Sequence, residues 1–417
     1  MKVELFIARR LKLGNGGKSA SPSLNVATIG IVLAILIMIL SVVIVLGFKS
    51  EITRKIFSIT PHLKVSNAAL GIDENFSTVN AHEVLQGIKA HPELMANMQS
   101  ISLMAEKPAI LKTEEDFKGV IYRGVDKGYD FSYLQSCLVE GRLPNLADTA
   151  DTREIIISKK LVDQLRLKVG DKLFSYFIDH QVKARRSIIV GIYNTDFDTF
   201  DKSYIIGNIK LLQGVNDWDG FTGNYVGVCL KNTDSLNADA RNLYSTLALS
   251  TIEHNYPTLH VVETITQSNS SYFTWLSMLN MNVVIILTLM IIVSSFTLIS
   301  ALLMIILERV KMVGVLKSLG CSNRMIRRIF IYLTGKLILR SIVIGNVVGI
   351  GLALIQQHFH ILTLNSEAYY MSYVPIEINI PALLLLNLGI IVISLISLIG
   401  PSHIVSTIKP TTTMKFE

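Results

Sequence analysis

Residues 26–48 contain no Asp, Glu, Lys or Arg, and that run constrains the fold more than any other feature of the chain. At about 1.5 Å per residue, a helix over Val26–Phe48 reaches roughly 35 Å, enough to cross a hydrocarbon core of about 30 Å. Three further segments share the character. Thr264–Leu307 has no charged residue and is densely apolar from Leu276 onward. Ile329–Ile355 is interrupted only by Lys336 and Arg340, and Ala382–Ile399 lies between Pro381 and Pro401. Half of the 417 residues are apolar and the mean hydropathy is +0.46, values of a membrane protein. The first run is too long for the apolar core of a signal peptide, and no A-x-A site follows Phe48, so it is expected to be an uncleaved anchor.

The net charge of +7 is unevenly spread. Residues 49–270 hold 24 Lys+Arg against 27 Asp+Glu, a net of −3. Residues 1–23 carry five basic residues and one acid, residues 308–340 eight and one, and residues 356–380 no Lys or Arg. Short basic flanks stay in the cytoplasm, whereas long domains cross largely regardless of charge. Both termini and 308–328 are therefore expected inside, and 49–270 and 356–380 outside. The basic balance reflects topology, and no nucleic-acid partner is expected. The expected fold class is a membrane protein with four transmembrane α-helices and a large α+β extracytoplasmic domain inserted between helices 1 and 2. Its parts are a cytoplasmic amphipathic segment 1–23, helix 1 at 24–48, the outward domain 49–270, helix 2 with a stalk at 271–307, and a cytoplasmic loop 308–328. Helix 3 at 329–355, an outward loop 356–380, helix 4 at 381–401 and a cytoplasmic tail 402–417 complete it.

Within the outward domain, two β-α-β patterns flank a middle section. His62–Ser66, Ala81–Ile88 and Gln99–Ala105 form one; Tyr225–Lys231, Ser235–Leu247 and Leu259–Glu263 form the other. Between them lie the strand signals Gly119–Gly124, Glu154–Ser158, Ser187–Ile192 and Ser203–Gly207. These predict a discontinuous α+β subdomain, 60–117 and 222–265, with a β-rich insert at 118–221.

Chemical motifs are few. Gly14–Ser19, GNGGKS, looks like part of a phosphate-binding loop. The P-loop pattern needs a glycine five positions before Gly17, where Lys12 stands, and a strand before it; a flexible basic loop is the expectation. Asp196, Asp198 and Asp201 are spaced somewhat like calcium ligands but lack the central Gly and terminal Glu of an EF-hand, so a solvated turn is expected. His358 and His360 lack a third ligand. Cys137 and Cys229 both fall in the outward domain, which at about 220 residues does not need a disulfide; their pairing is left open. No catalytic residue, metal site or cofactor bound by the chain is expected.

The segment after helix 2 carries the strongest signal. Residues 305–331 place apolar Met312, Val315, Leu316 and Leu319 among basic Arg309, Lys311 and Lys317, punctuated by Gly314 and Gly320, with Ser322 able to N-cap the next helix. Taken alone, such a loop is also what topology requires, its apolar face resting on lipid headgroups. The run Glu308-Arg309…Gly314-Val315-Leu316-Lys317-Ser318-Leu319-Gly320-Cys321-Ser322 resembles the signature of FtsX/MacB-type ABC transporter permeases. Leu5–Arg10 is similar to that family's amphipathic N-terminal helix. Gly47-Phe48…Glu51-Ile52…Pro61-His62-Leu63, Glu140-Gly141-Arg142, Glu154-Ile155, Val169–Lys172 and Pro410…Lys415-Phe416-Glu417 resemble its lipoprotein-releasing LolC/LolE branch.

The resemblance implies that Glu308, Arg309, Lys311, Gly314, Val315, Leu316, Lys317, Leu319 and Gly320 form a coupling helix. This helix would sit in a groove of a separate cytoplasmic ATPase subunit, present in two copies, which holds ATP and Mg. It implies a second permease copy, self or paralogue, and a lipoprotein substrate extracted from the outer leaflet of the bacterial inner membrane. LolC-type members dock a periplasmic lipoprotein chaperone through a longer hairpin; here only Ser175–Arg186 corresponds, which puts such docking in doubt. Lys336 and Arg340 also depart from the family pattern and are expected to snorkel to the inner headgroups.

A helix over Leu276–Leu307 spans roughly 48 Å, long enough to serve as a rod between the outward domain and the loop. Ser341, Gly345, Gly349 and Ala353 recur every four residues and permit close helix approach, to a second copy or within the chain. Val42, Val43 and Leu46 on helix 1 and Met278, Leu279 and Met281 on helix 2 are candidate contacts for acyl chains, or plain lipid-facing residues. The alternatives are MacB-like efflux, FtsX-like mechanotransmission to a cell-wall hydrolase, and a membrane receptor. A receptor needs an inward signalling domain, for which the inward segments are too short.

Overall fold

Among the described residues of the computed structural model, four helices are long and apolar enough to cross a membrane: Asn25–Ile59, Ser270–Glu308, Asn323–Phe359 and Ile380–Gly400. The structure describes residues 22–68, 78–113, 116–147, 153–178, 181–365, 369 and 371–402. The GNGGKS stretch, Leu5–Arg10 and the C-terminal Pro410…Glu417 lie outside the described residues. The chain divides into two compact units. One comprises residues 1–50, 275–363 and 374–417; the other comprises 51–274 and 364–373.

In the first unit, one apolar core joins all four helices. Ile31, Ile35 and Ile39 of the first, Leu298 and Leu302 of the second, Phe330 and Ile338 of the third and Leu383 and Ile390 of the fourth are buried in it. Polar pairs tie the helices sideways. Asn346 and Asn387 exchange amide hydrogen bonds in both directions, at 2.7 and 3.0 Å, and Ser397 donates to Ser295 at 3.0 Å. Side chains of this type act as interhelical glue where water is absent. Lys336 and Arg340 lie on the exposed side of the third helix, away from this core.

The first helix continues past the charges at Lys49, Glu51, Arg54 and Lys55 to Ile59. Glu51 and Arg54 pair one turn apart, and Ile52, Ile56 and Ile59 are buried, so an apolar stripe at helical spacing outlasts the membrane-compatible run.

Among the described residues, the second unit is built on a ten-stranded sheet, ordered β12-β1-β11-β3-β4-β9-β6-β8-β5, with β7 pairing β3 and β8. The strands are β1 Leu63–Asn67, β2 Val79–Asn80, β3 Met98–Lys112, β4 Phe117–Val125, β5 Leu138–Gly141, β6 Glu154–Ser158, β7 Lys172–Ile178, β8 Val182–Tyr193, β9 Tyr204–Asn208, β10 Thr222–Gly223, β11 Tyr225–Leu230 and β12 His260–Thr264. β2 and β10 form a separate ribbon.

The strands of 60–117 and 222–265 in this sheet, β12, β1, β11 and β3, stand next to one another, and those of the middle section, β4, β9, β6, β8 and β5, follow on the far side of β3. β3 pairs β11 through Met98–Met104, β4 through Met104–Lys112 and β7 through Ile110–Lys112. One long strand thus carries the ladder from one half into the other. Helices Ala81–Lys89 and Leu236–His254 occur at the positions their periodicity predicts, and Gly87 packs against Leu247 and Ser250.

Candidate coupling site

The loop after the second membrane helix is a short helix between two breaks. Arg309 leaves helical geometry at φ −118°, ψ 19°, and a new helix runs over Val310–Ser318. Gly320 ends the reversal at φ +86°, a left-handed conformation that glycine adopts without strain. Its N–H reaches Lys317 O at 3.0 Å, and Cys321 N–H reaches Leu316 O at 3.0 Å, the paired closure of a Schellman motif. Ser322 then caps the third membrane helix, its Oγ accepting from Met325 N–H at 3.3 Å.

The two faces of this helix differ. Val313 is fully buried, Gly314 is buried, and Met312, Leu316 and Cys321 pack on the membrane-helix core. Val315 is 50 % and Leu319 75 % exposed; four residues apart, they share the outward face. Of the sequence-derived set, Val315, Leu319 and Gly320 therefore face out, while Gly314 and Leu316 face in. Glu308 is exposed, and Arg309 and Lys317 are half-buried and engaged in interactions. The side chain of Lys311 lies outside the described residues.

The small-residue stripe of the third helix faces the first helix of the same chain. Added Cβ atoms would lie 2.8 Å from Ile35 Cγ2 at Gly345 and 3.3 Å from Ile39 Cδ1 at Gly349, and Ser341 and Ala353 are buried. Among the candidates for acyl contact, Val43 is corrected. It is 1 % exposed within the membrane-helix core and presents no surface to a ligand. Val42, Leu46 and Leu279 are half-buried, whereas Met278 and Met281 are 60 % and 64 % exposed.

Sequence reasoning missed a cluster of side chains in the second unit that grips the end of the first helix. The last carbonyls of any helix lack intrahelical partners. Here Arg123 Nη1 donates to Ile59 O at 3.1 Å, and a His62 ring nitrogen lies 3.2 Å from Phe57 O. Lys55 Nζ donates to Asp196 O at 2.7 Å.

Arg123 is 2 % exposed. Its Nε donates to Glu106 Oε1 at 2.7 Å, which also accepts from Tyr225 Oη at 2.9 Å. The guanidinium lies 4.4 Å from the ring centre of Tyr204 and 5.3 Å from that of Phe200. Burial works against the Arg123 charge, but Glu106, Tyr225 and Tyr204 outweigh it and hold the group well above its ordinary value. Burial also pushes the His62 imidazole down, while its Nδ1 accepts from Leu230 N–H at 2.8 Å. Only Pro61-His62-Leu63 of this cluster carried a sequence signal. Arg123 sits mid-strand, with nothing in its neighbours to mark a long-range partner.

The second membrane helix starts from the same unit. Ile265 N–H bonds His62 O at 2.8 Å, Thr264 and Gln267 form a capping box, and Phe273 packs edge-on against Phe57.

Asp196 of the Asp196–Asp201 corner is exposed, as expected of a solvated turn, but the other two carboxylates are not. Asp198 is buried and pairs with Lys160 and Lys202. Asp201, fully buried, accepts from Thr195 Oγ1 at 2.7 Å, and its carbonyl accepts from Ser158 Oγ. Burial raises the Asp201 carboxyl to about 6. Among the described residues no group of three or more His, Cys, Asp or Glu is placed to hold a metal, and Cys137 and Cys229 are unbridged.

Two family descriptions match this chain. "MacB-like periplasmic core domain" covers residues 26–243, and "FtsX-like permease C-terminal" covers 284–410. The "Lipoprotein-releasing system transmembrane protein LolC" of Xylella fastidiosa (strain 9a5c) is 24% identical over 407 residues, 93% of this chain and 92% of that protein. The protein of the same name from Neisseria meningitidis serogroup B is 24% identical over 98% of this chain and 97% of its own length. Among solved structures, the periplasmic region of MacB from Actinobacillus actinomycetemcomitans overlaps 51% of this chain and 92% of its own, with 11% identity and a TM-score of 0.36. The chain belongs to the FtsX/MacB-type family of ABC transporter permeases, with a MacB-like periplasmic core domain followed by an FtsX-like permease C-terminal region.

Proposed function

We propose that this chain is the permease subunit of an ABC transporter that extracts lipoproteins from the outer leaflet of the bacterial inner membrane. ATP is hydrolysed by a separate cytoplasmic subunit, present in two copies, and the chain itself is no enzyme. The observation that carries the coupling half is the outward face of Val310–Ser318 and its turn. It leaves Val315 and Leu319 exposed on a helix whose other face, with Met312, Val313 and Leu316, packs on the membrane-helix core, as a surface awaiting a partner groove does. The cargo half follows the LolC-named relatives.

In this reading residues 1–23, 308–328 and 402–417 are cytoplasmic, and the domain between the first two membrane helices is periplasmic. Two permease copies, identical or paralogous, flank the cargo. Movement of the ATPase pair displaces the loop, and the helix Ser270–Glu308 transmits it as a continuous rod, a two-state element biased at its inner end. Met278 and Met281 offer adaptable apolar contacts to acyl chains.

The test is mild-detergent purification of the tagged chain with mass spectrometry of what accompanies it. An ATPase subunit with acylated lipoproteins is expected. An ATPase with a cell-wall hydrolase or an efflux duct protein would replace the cargo, and no ATPase in several detergents would overturn the proposal. Topology is tested with single cysteines in a background lacking the native three. Asp234→Cys should react with an impermeant reagent in cells with a permeabilised outer membrane, and Ser19→Cys and Ser406→Cys should not.

A further inference from the structure

A charge on the exposed side of a membrane helix is costly unless its head reaches the interface or a counter-charge. The third membrane helix carries two. Lys336 and Arg340 stand one turn apart, and with Tyr332, Leu339, Val343 and Val347 they form one exposed face. Among the described residues, neither cation makes an ion pair or a side-chain hydrogen bond.

Their depth follows from the packing of the first helix against the third. Gly345 lies against Ile35 and Gly349 against Ile39, so these two helices run parallel at a constant register. The same register puts Lys336 level with Val26 and Arg340 level with Gly30. The first helix starts at Pro22, after the polar run Ser19-Ala20-Ser21. At about 1.5 Å per residue, Lys336 stands roughly 6 Å and Arg340 roughly 12 Å along the helix from that level. Long basic side chains at such a depth reach the head groups of the nearer leaflet, the one on the coupling-loop side. Val343 and Val347 continue the face toward the bilayer centre as apolar surface.

The acids of this unit narrow what can neutralise the pair. They are Glu4, Glu308, Glu377 and Glu417. Glu308 ends the second membrane helix, and Glu377 N–H bonds Val43 O, toward the other end of the first. Glu4 and Glu417 lie outside the described residues. No Asp or Glu occurs in residues 5–50, 264–307, 309–366 or 378–416. A second copy of the chain packed on this face would therefore bring no carboxylate from its membrane helices. A phospholipid brings a phosphate to this depth, where Arg can bind it with two parallel N–H donors. Two cations with no acid beside them favour a head group that carries no cation of its own.

We propose that this face binds an anionic phospholipid of the leaflet on the coupling-loop side. Lys336 and Arg340 hold its phosphate, Tyr332 lies in the head-group layer as interfacial aromatics do, and an acyl chain follows Val343 and Val347. The ligand class stands whatever the cargo and whether or not a separate ATPase drives the chain.

The probe is phosphatidylglycerol with a diazirine in one acyl chain, held at low mole fraction in phosphatidylcholine nanodiscs that contain the full chain. Phosphatidylcholine with the same diazirine chain is the reference. After photolysis, attachment is read by mass spectrometry of peptic peptides, with the peptide covering 380–400 as internal standard. Phosphatidylglycerol is expected to label residues 329–347 about fivefold more than the reference. Lys336→Gln/Arg340→Gln should abolish the excess. The exchange Lys336→Arg/Arg340→Lys should keep it, as should Lys112→Gln/Lys172→Gln, an equal loss of charge in the second unit. Melting temperatures report folding; should the Gln pair not fold, each single Gln variant carries the test with about a twofold loss. Equal labelling by the two lipids, an excess that survives the Gln pair, or one lost in the second-unit control would overturn the assignment. So would an excess that rises in Glu4→Gln/Glu417→Gln, since the chain's own acids would then hold the pair. Displacement by inorganic phosphate, but not by sodium chloride of equal ionic strength, would make the ligand a free phosphate and also overturn it.

Discussion

Replacing Arg123 with methionine keeps much of the aliphatic volume and removes the charge, so it isolates what the guanidinium does. Four interactions go: the bond to Glu106 Oε1 at 2.7 Å, the bond to Ile59 O at 3.1 Å, and the ring contacts to Tyr204 at 4.4 Å and Phe200 at 5.3 Å. Glu106 keeps Tyr225 but loses its counter-charge. Breaking one side of a buried ion pair costs about 3–5 kcal/mol, chiefly because the other charge is left uncompensated. Glu106 is 27% exposed against 2% for Arg123, so the low end, about 3 kcal/mol, is expected for Arg123→Met. Glu106→Gln leaves the more buried charge unpaired and should cost at least as much.

The double variant Arg123→Met/Glu106→Gln should recover more than half of the summed loss, since neither charge then remains. It will not restore the cap on Ile59. The assay is thermal unfolding in nanodiscs for the four members of the cycle, with hydrogen exchange of the peptide covering residues 52–62. Both Arg123 variants should exchange faster there, and Glu106→Gln less so. Additive single losses, or an Arg123→Met cost below about 1 kcal/mol, would refute the claim that this pair pins the helix end.

Leu319 is 75 % exposed, so a partner groove that buries it gains about 2 kcal/mol from a side chain worth roughly 1.5–3. Leu319→Ala should weaken binding of the ATPase subunit about tenfold or more with little change in melting temperature. Leu316→Ala should instead lower the melting temperature, because Leu316 packs inward; the reverse pattern would invert the assignment of the two faces. Asn346→Leu or Asn387→Leu alone should destabilise the helix bundle by about 1 kcal/mol, and the double variant should be more stable than either, as read by unfolding in detergent. The raised Asp201 carboxyl takes up a proton more readily folded than unfolded, so its charging opposes folding as pH rises from about 4 through about 6. Asp201→Asn should therefore raise the melting temperature at pH 7.5 and converge with the native chain near pH 4; a constant offset across this range would count against it.

The membrane helices were legible because an uncharged run of bilayer length has few alternative folds. Where the first helix ends was not, since Lys49, Glu51, Arg54 and Lys55 look like an exit. The reason it continues is tertiary: Ile52 and Ile56 are buried and Lys55 reaches Asp196 O, contacts that no local pattern announces. The same limit applies to the sheet. Alternation marked strands at 154–158 and 225–230, but not that β3 pairs β11 along one part of its length and β4 and β7 along another, which joins the two groups of strands into one sheet. At the coupling loop the residue types were legible and the facing was not. Leu316 and Leu319 are equally apolar, and only packing separates them. Asn346 and Asn387, 41 residues apart, read as isolated polar residues until the helices are placed side by side.

The central claim, that ATP hydrolysed by a partner acts through the outward face of the 310–318 helix to release lipoprotein, is tested most directly by one reconstitution. The chain and its co-purifying ATPase are placed in liposomes carrying an acylated, fluorescent lipoprotein, and release is followed with and without ATP for the native chain and Leu319→Asp. The account predicts ATP-dependent release by the native chain and none above background by Leu319→Asp, with both chains inserted equally. Release that ignores ATP, or that Leu319→Asp leaves intact, would contradict it.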